Sequence, residues 1–175
     1  MEQGPHNSRG RIILLNGASS SGKSSIAREL QRQLPTPFLH LSIDHLRDSG
    51  VLPLERFRSK EFIWAETRAN FFTGFERAVA AFAGAGNDLI VDYIIETREW
   101  MERIEGVLSD CEVLLVGVHC PLEELERREA ERGDRPLGDA GRDFFTVHEH
   151  CAYDFEVDAT LPPSVNASRI IKALR

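Results

Sequence analysis

Eight residues near the start of the chain carry the groups needed to hold a polyphosphate: Gly17-Ala18-Ser19-Ser20-Ser21-Gly22-Lys23-Ser24. Their spacing is G-x-x-x-x-G-K-[ST]. They lie between an apolar run, Ile12-Ile13-Leu14-Leu15, and an amphipathic stretch that opens at Ser25. Strand, tight loop and helix in that order make the pattern a phosphate cradle. Gly17 and Gly22 let the backbone take positive φ and aim its N–H groups inward, and the helix N-terminus adds its partial positive charge. Lys23 reaches the β- and γ-phosphates, and the Ser24 hydroxyl can ligate Mg²⁺. Ala18, Ser19, Ser20, Ser21 and Ser25 line the same cradle. The pattern implies a nucleoside triphosphate ligand.

Phosphate loops serve GTPases, motor ATPases and kinases alike, so other residues must decide the chemistry. The Asn-Lys-x-Asp motif of GTPases and the ABC-type signature do not occur, and the chain is short for an oligomeric ATPase machine. Asp44 closes the second apolar run, and strand ends beside a phosphate loop face one crevice. A carboxylate there would take the proton from a substrate hydroxyl during phosphoryl transfer. The same Asp also suits the N-cap of a following helix. Asp92 ends the third run in the place of a Walker-B carboxylate, which would hold Mg²⁺ through water; its plainer reading is a strand-end turn residue. Arg128, Arg132 and Arg135 could fold over the triphosphate and exclude water. As dipole partners at a helix C-terminus they would need no ligand.

His45, Trp64, Arg68, Phe71, Tyr93 and Arg98 are candidates for an acceptor pocket, although aromatics at helical spacing also serve a core. His148-Glu149-His150 has metal-like spacing, but a lone H-x-H on an exposed helix does not make a site, which leaves Ser24 and Asp92 as the metal candidates.

These groups need a frame. Apolar runs predict strands over residues 11–16, 38–43, 88–92, 113–119 and 153–158. Helical periodicity predicts a helix after the loop ending at Pro35, a long helix over 59–83, one near 97–108, one opening at Pro121, a short one up to His150, and a closing helix over 164–174. Phe62, Ala65, Ala69, Phe72, Phe75, Val79 and Phe82 form the expected core stripe of the long helix. Alternating strands and helices predict an α/β fold: a single P-loop kinase-type domain over 11–175, built on a five-stranded parallel sheet with helices on both faces. Residues 1–10 are expected to be a loose tail and the segment near 128–140 a lid.

At 175 residues, 42% hydrophobic and 28% charged, the chain suits one globular domain. A net charge of −7 argues against a nucleic-acid partner. The N-terminus lacks a signal-peptide core, and no run is long enough to span a membrane. Cys111, Cys120 and Cys151 lack C-x-x-C spacing and read as reduced thiols of a cytoplasmic protein. Nothing here excludes a homo-oligomer.

Several segments together resemble the chloramphenicol phosphotransferase-like family of small P-loop kinases. They are IILLNGASSSGKSS at 12–25, SIDHL at 42–46, DLIVD at 88–92, VLLVGVHC at 113–120, REAERGDR at 128–135 and VHEHCAYDFEVDAT at 147–160. The resemblance implies ATP-dependent phosphorylation of a small-molecule hydroxyl. It implies Asp44 as base, Lys23 as phosphate lysine, Arg132 and Arg135 as lid, and residues 159–163 beside adenine. The 45–75 region departs from the family's namesake, so the expected acceptor is an antibiotic or a similar hydroxylated metabolite. A nucleoside, nucleotide or shikimate-type kinase, and a non-catalytic nucleotide-binding regulatory protein, are the rival expectations.

Overall fold

A computed structural model describes residues 9–132 and 138–174, Arg132 through its backbone alone. Five strands form one parallel sheet: β1 (Ile12–Asn16), β2 (Leu39–Ser42), β3 (Leu89–Tyr93), β4 (Val113–His119) and β5 (Phe155–Asp158), in the order β2-β3-β1-β4-β5. β1 is central and every residue of it is buried, as its unbroken apolar sequence requires. Alternation divides its side chains between two cores. Ile13 and Leu15 pack with α1 (Lys23–Gln33) and α8 (Pro163–Ala173), while Ile12 and Leu14 face α4 (Trp64–Gly84) and α5 (Arg98–Val107). α6 (Leu122–Arg132) and α7 (Asp139–Phe144) follow β4. The expected α/β fold is the one observed. Among the described residues no helix is long and apolar enough to cross a membrane.

The long helix differs from its expected form. It begins at Trp64, because Ile63 is extended and the preceding 43–58 stretch holds short helices of its own, among them α2 (Ile43–Leu46) and α3 (Leu54–Arg58). Its buried stripe is Phe72, Phe75, Glu76, Val79 and Ala83. Ala65 and Ala69 face solvent, Phe82 is 43% exposed, and Phe62 lies ahead of the helix beneath the Arg56 guanidinium. The face carries a charge because Glu76 is neutralised there. Tyr93 donates to Glu76 Oε1 (2.5 Å), and Arg103 donates to Oε2 through Nε (2.6 Å) and to Oε1 through Nη2 (2.8 Å).

Candidate active site

The parallel strands deliver their C-terminal ends to one edge, where the phosphate loop joins β1 to α1. Gly17 is obligatory: an added Cβ would lie 2.6 Å from the Val118 carbonyl oxygen. Gly22 starts α1 at φ 94°, a region that favours glycine. Ser20 is more unusual, taking φ 63° without being glycine, at a cost of about 1–2 kcal/mol. Such strain persists only where the surroundings enforce it.

Those surroundings are dense. Lys23 Nζ donates to the carbonyls of Gly17 (2.8 Å) and Ala18 (2.9 Å) and lies 3.8 Å from Asp92 Oδ1. Ser24 Oγ donates to Asp92 Oδ2 at 2.5 Å. β3 brings Asp92 there: its register partner on β1 is Leu15, and on β2 it is Ser42. Asp92 thus sits beneath the loop, joined to both Lys23 and Ser24.

A cleft of about 810 Å³ opens over this group, lined by Ser19–Ser25, Asp92, Asp44, His45 and Asp48 on one side and by Arg128, residues 159–163 and Asn166 on the other. Asp44 does not close a strand and does not cap a helix. It lies in the first turn of α2, whose N-cap is Ser42, the Oγ of which accepts from His45 N at 3.0 Å. Asp44 is thereby turned into the cleft, where Arg47 Nη1 lies 3.2 Å from its Oδ1.

Arg128 bridges the two walls. Its Nη1 donates to the Ser21 carbonyl (3.2 Å) and its Nη2 to that of Ala159 (2.9 Å), while Nε is held by Glu124 (2.6 Å). Hydrogen bonds from Arg127 and Arg128 hold the Glu124 carboxyl down to about 2. The Arg132 side chain and Arg135, expected in a lid, lie outside the described residues, as does most of the expected tail.

The candidate acceptor residues divide. His45 lines the cleft. Trp64 packs edge-on against Phe57 and Phe71, at ring separations of 5.6 and 5.7 Å. The Arg68 guanidinium lies 4.8 Å from the centre of the Phe72 ring and 4.6 Å from that of Trp100, and it pairs with Glu96. Tyr93 corrects the expectation. Strand alternation turns it into the α4/α5 core at 2% exposure, and burial raises its phenol well above the ordinary range. Arg98 is exposed at the first position of α5 and lines no wall of the cleft.

Four side chains outside the phosphate-loop motif tie together the elements around it. Asn16 Nδ2 donates to the Val147 carbonyl and the Tyr153 hydroxyl, both at 2.8 Å, while its Oδ1 accepts from Ile95 N at 2.9 Å. A polar residue ending an all-apolar strand was the one available signal for it. Asp143 Oδ2 accepts from Ser19 N (3.1 Å), and Glu129 accepts from Gly138 N (2.8 Å) and Ala140 N (2.9 Å) at the head of α7. His148 Nδ1 lies 2.6 Å from Tyr153 Oη, with its ring stacked on His119 at 4.1 Å. Burial lowers His148 to about 4, aided by His119 and Lys23. His148 therefore belongs to this network, apart from His150, and among the described residues no group of three or more His, Cys, Asp or Glu is placed to hold a metal.

The family model described as chloramphenicol phosphotransferase-like protein matches residues 10–175. A Mycobacterium tuberculosis H37Rv protein provisionally named an O-phosphotransferase is 35% identical over 173 residues, covering 88% of this chain and 77% of that one. The APS kinase of Mycobacterium tuberculosis, solved in complex with AMPPNP and APS, superposes with a TM-score of 0.72 at 22% identity, covering 95% of this chain and 98% of that one. Shikimate kinase from Aquifex aeolicus gives a TM-score of 0.66 at 18% identity, covering 93% and 95%.

Proposed function

This chain belongs to the chloramphenicol phosphotransferase-like family, and on that footing we propose that it transfers the γ-phosphoryl group of ATP to a hydroxyl of a small molecule. The observation that carries the reading is the convergence of Lys23, Ser24 and Asp92 under the phosphate loop, on a cleft whose wall also presents Asp44.

In this scheme the loop amides and Lys23 hold the β- and γ-phosphates, and the base lies by residues 159–163 under Arg128. Ser24 and Asp92 would hold Mg²⁺; a hydroxyl and a carboxylate oxygen 2.5 Å apart are the hard donors this ion takes. Bound there, Mg²⁺ would neutralise phosphate charge. Asp44 accepts the acceptor's proton as its oxygen approaches in line with the γ-phosphorus.

The favoured acceptor is an uncharged hydroxylated compound, an antibiotic or a comparable metabolite, because Arg68 and Arg142, two cations that could hold a carboxylate or sulfate ester, are each already paired with carboxylates. Arg68 is engaged by Glu96 and by the Phe72 and Trp100 rings. Arg142 is engaged by Asp139 and Asp143. Trp64 and Phe71 offer an aromatic surface on the same helix as Arg68. The free Cys111, Cys120 and Cys151 suit a reducing, cytoplasmic setting.

The test is incubation with Mg·ATP and a panel of hydroxylated compounds, antibiotics included, read by mass spectrometry for phosphorylated product. Product with the wild type and none with Lys23→Ala is expected. Tight ATP binding without product across the panel contradicts a transferase and favours a nucleotide-binding regulator.

A further inference from the structure

We propose that Asp143 is a positioning residue for the phosphate loop: its carboxylate holds the Ser19 peptide so that Ser20 stays in its left-handed conformation and the following amides face the nucleotide. The inference rests on the nucleotide-binding reading above and adds a part that no phosphate-loop motif contains.

Asp143 is 1% exposed, yet it is not a core residue by chemistry. Its Oδ2 accepts the Ser19 N–H at 3.1 Å, and its Oδ1 takes Arg142 Nη2 at 2.8 Å and Nε at 3.2 Å. Arg142 neutralises the charge that burial would otherwise make costly, so the carboxylate can stand beside an anion site. Its backbone is fixed as well: the Asp143 carbonyl accepts from Val147 N (2.9 Å), and the Val147 carbonyl accepts from Asn16, the residue just before the loop. The loop's first half is thus held from one side by a single turn, 143–147, distant in sequence.

What that hold must resist is Ser20. Its φ of 63° is unfavourable for any residue with a Cβ, and it lies one residue past the peptide that Asp143 grips. Ser21 N donates to Ala18 O at 3.2 Å, and Lys23 Nζ bonds the same carbonyl, so the left-handed residue sits between two pinned peptides. Without Asp143 the loop can relax Ser20 to negative φ and misaim the amides beyond it. Affinity then falls in proportion to the lost competent fraction.

The experiment measures the dissociation constant of a non-hydrolysable ATP analogue with Mg²⁺, beside the melting temperature without ligand. Asp143→Ala is expected to weaken binding about tenfold, the usual consequence of removing one hydrogen bond to a charged group. Asp143→Asn keeps an acceptor oxygen and should stay within about threefold of the wild type. The decisive variant is Ser20→Gly in the Asp143→Ala background. Glycine takes positive φ freely, so affinity should return most of the way, a recovery that a general loss of packing would not allow. Wild-type affinity in Asp143→Ala, or no recovery on adding Ser20→Gly, overturns the proposal while leaving the nucleotide site intact. Failure of the wild type itself to bind the analogue removes the nucleotide reading and the proposal with it.

Discussion

Gly17→Ala tests whether the loop is held as tightly as its neighbours indicate. The new methyl would lie 2.6 Å from the Val118 carbonyl oxygen, 3.1 Å from Ser21 Oγ and 3.2 Å from Val118 Cβ. Ordinary contact begins at 3.4 Å, so the loop and β4 must separate by roughly 0.8 Å. Neither yields cheaply. Val118 is paired in register with Val157 of β5, and the Gly17 carbonyl carries the Lys23 ammonium. Overpacking of this kind costs about 1–3 kcal/mol, which for a domain of this size is a melting temperature lower by about 2–12 °C. Displacing phosphate-binding amides by nearly an ångström should cost more, about 10- to 100-fold in ATP-analogue affinity. Gly22→Ala is the control. Its new methyl meets the Arg128 guanidinium at 3.3 Å, a group that can swing aside, so the penalty is mainly that of φ 94°, about 1–2 kcal/mol. Calorimetric titration with the analogue and thermal melting give both numbers. A Gly17→Ala protein that melts and binds like the wild type would refute the close approach of loop and β4.

Other consequences concern stability. Arg103→Leu strips two hydrogen bonds and the countercharge from Glu76, whose side chain is fully buried, and should cost about 3 kcal/mol or more in urea unfolding; less than 1 kcal/mol would contradict the buried pair. Replacing Glu76 and Arg103 together by leucines should recover only part of that loss, because the buried Tyr93 hydroxyl then lacks its acceptor, and adding Tyr93→Phe should recover more. His40 and His148 are each lowered to about 4, both chiefly by burial. Their folded values lie below the unfolded value of about 6.5, so the unfolded chain binds protons first and stability falls as pH drops from about 6.5 towards 4, levelling below. After allowance for partial exposure each should contribute on the order of 1 kcal/mol, and His148→Asn should flatten the melting-temperature profile in that window; an unchanged slope would contradict it.

How much of this could be read beforehand follows from which signals are local. The phosphate loop, the strands and the sheet were legible because glycine spacing and apolar runs depend on neighbouring residues alone. Asp92 is legible as a carboxylate following an apolar run, although β3 continues one residue further, to Tyr93. For Asp44 the sequence leaves two roles open, and the structure separates them: Ser42, not Asp44, caps the next helix, and Asp44 lines the cleft. Tyr93 turns away from the acceptor side because an aromatic at a strand end can face either layer, and which layer depends on α4 and α5 supplying Phe75, Trp100 and Glu76 around it. The stripe of α4 slipped for a related reason: Glu76 counts as polar in the sequence, and its partner Arg103 is 27 residues away. Asp143 and Asn16 act across more than 120 residues, a separation that no periodicity records.

The central claim is that Asp44 removes the acceptor's proton while a separate set of groups holds the nucleotide. Asp44→Asn, assayed with the acceptor that the product screen yields, measures it directly. The account predicts a loss of roughly 10²- to 10⁴-fold in kcat, with the affinity for an ATP analogue unchanged within about twofold. Undiminished turnover in that variant would contradict the account.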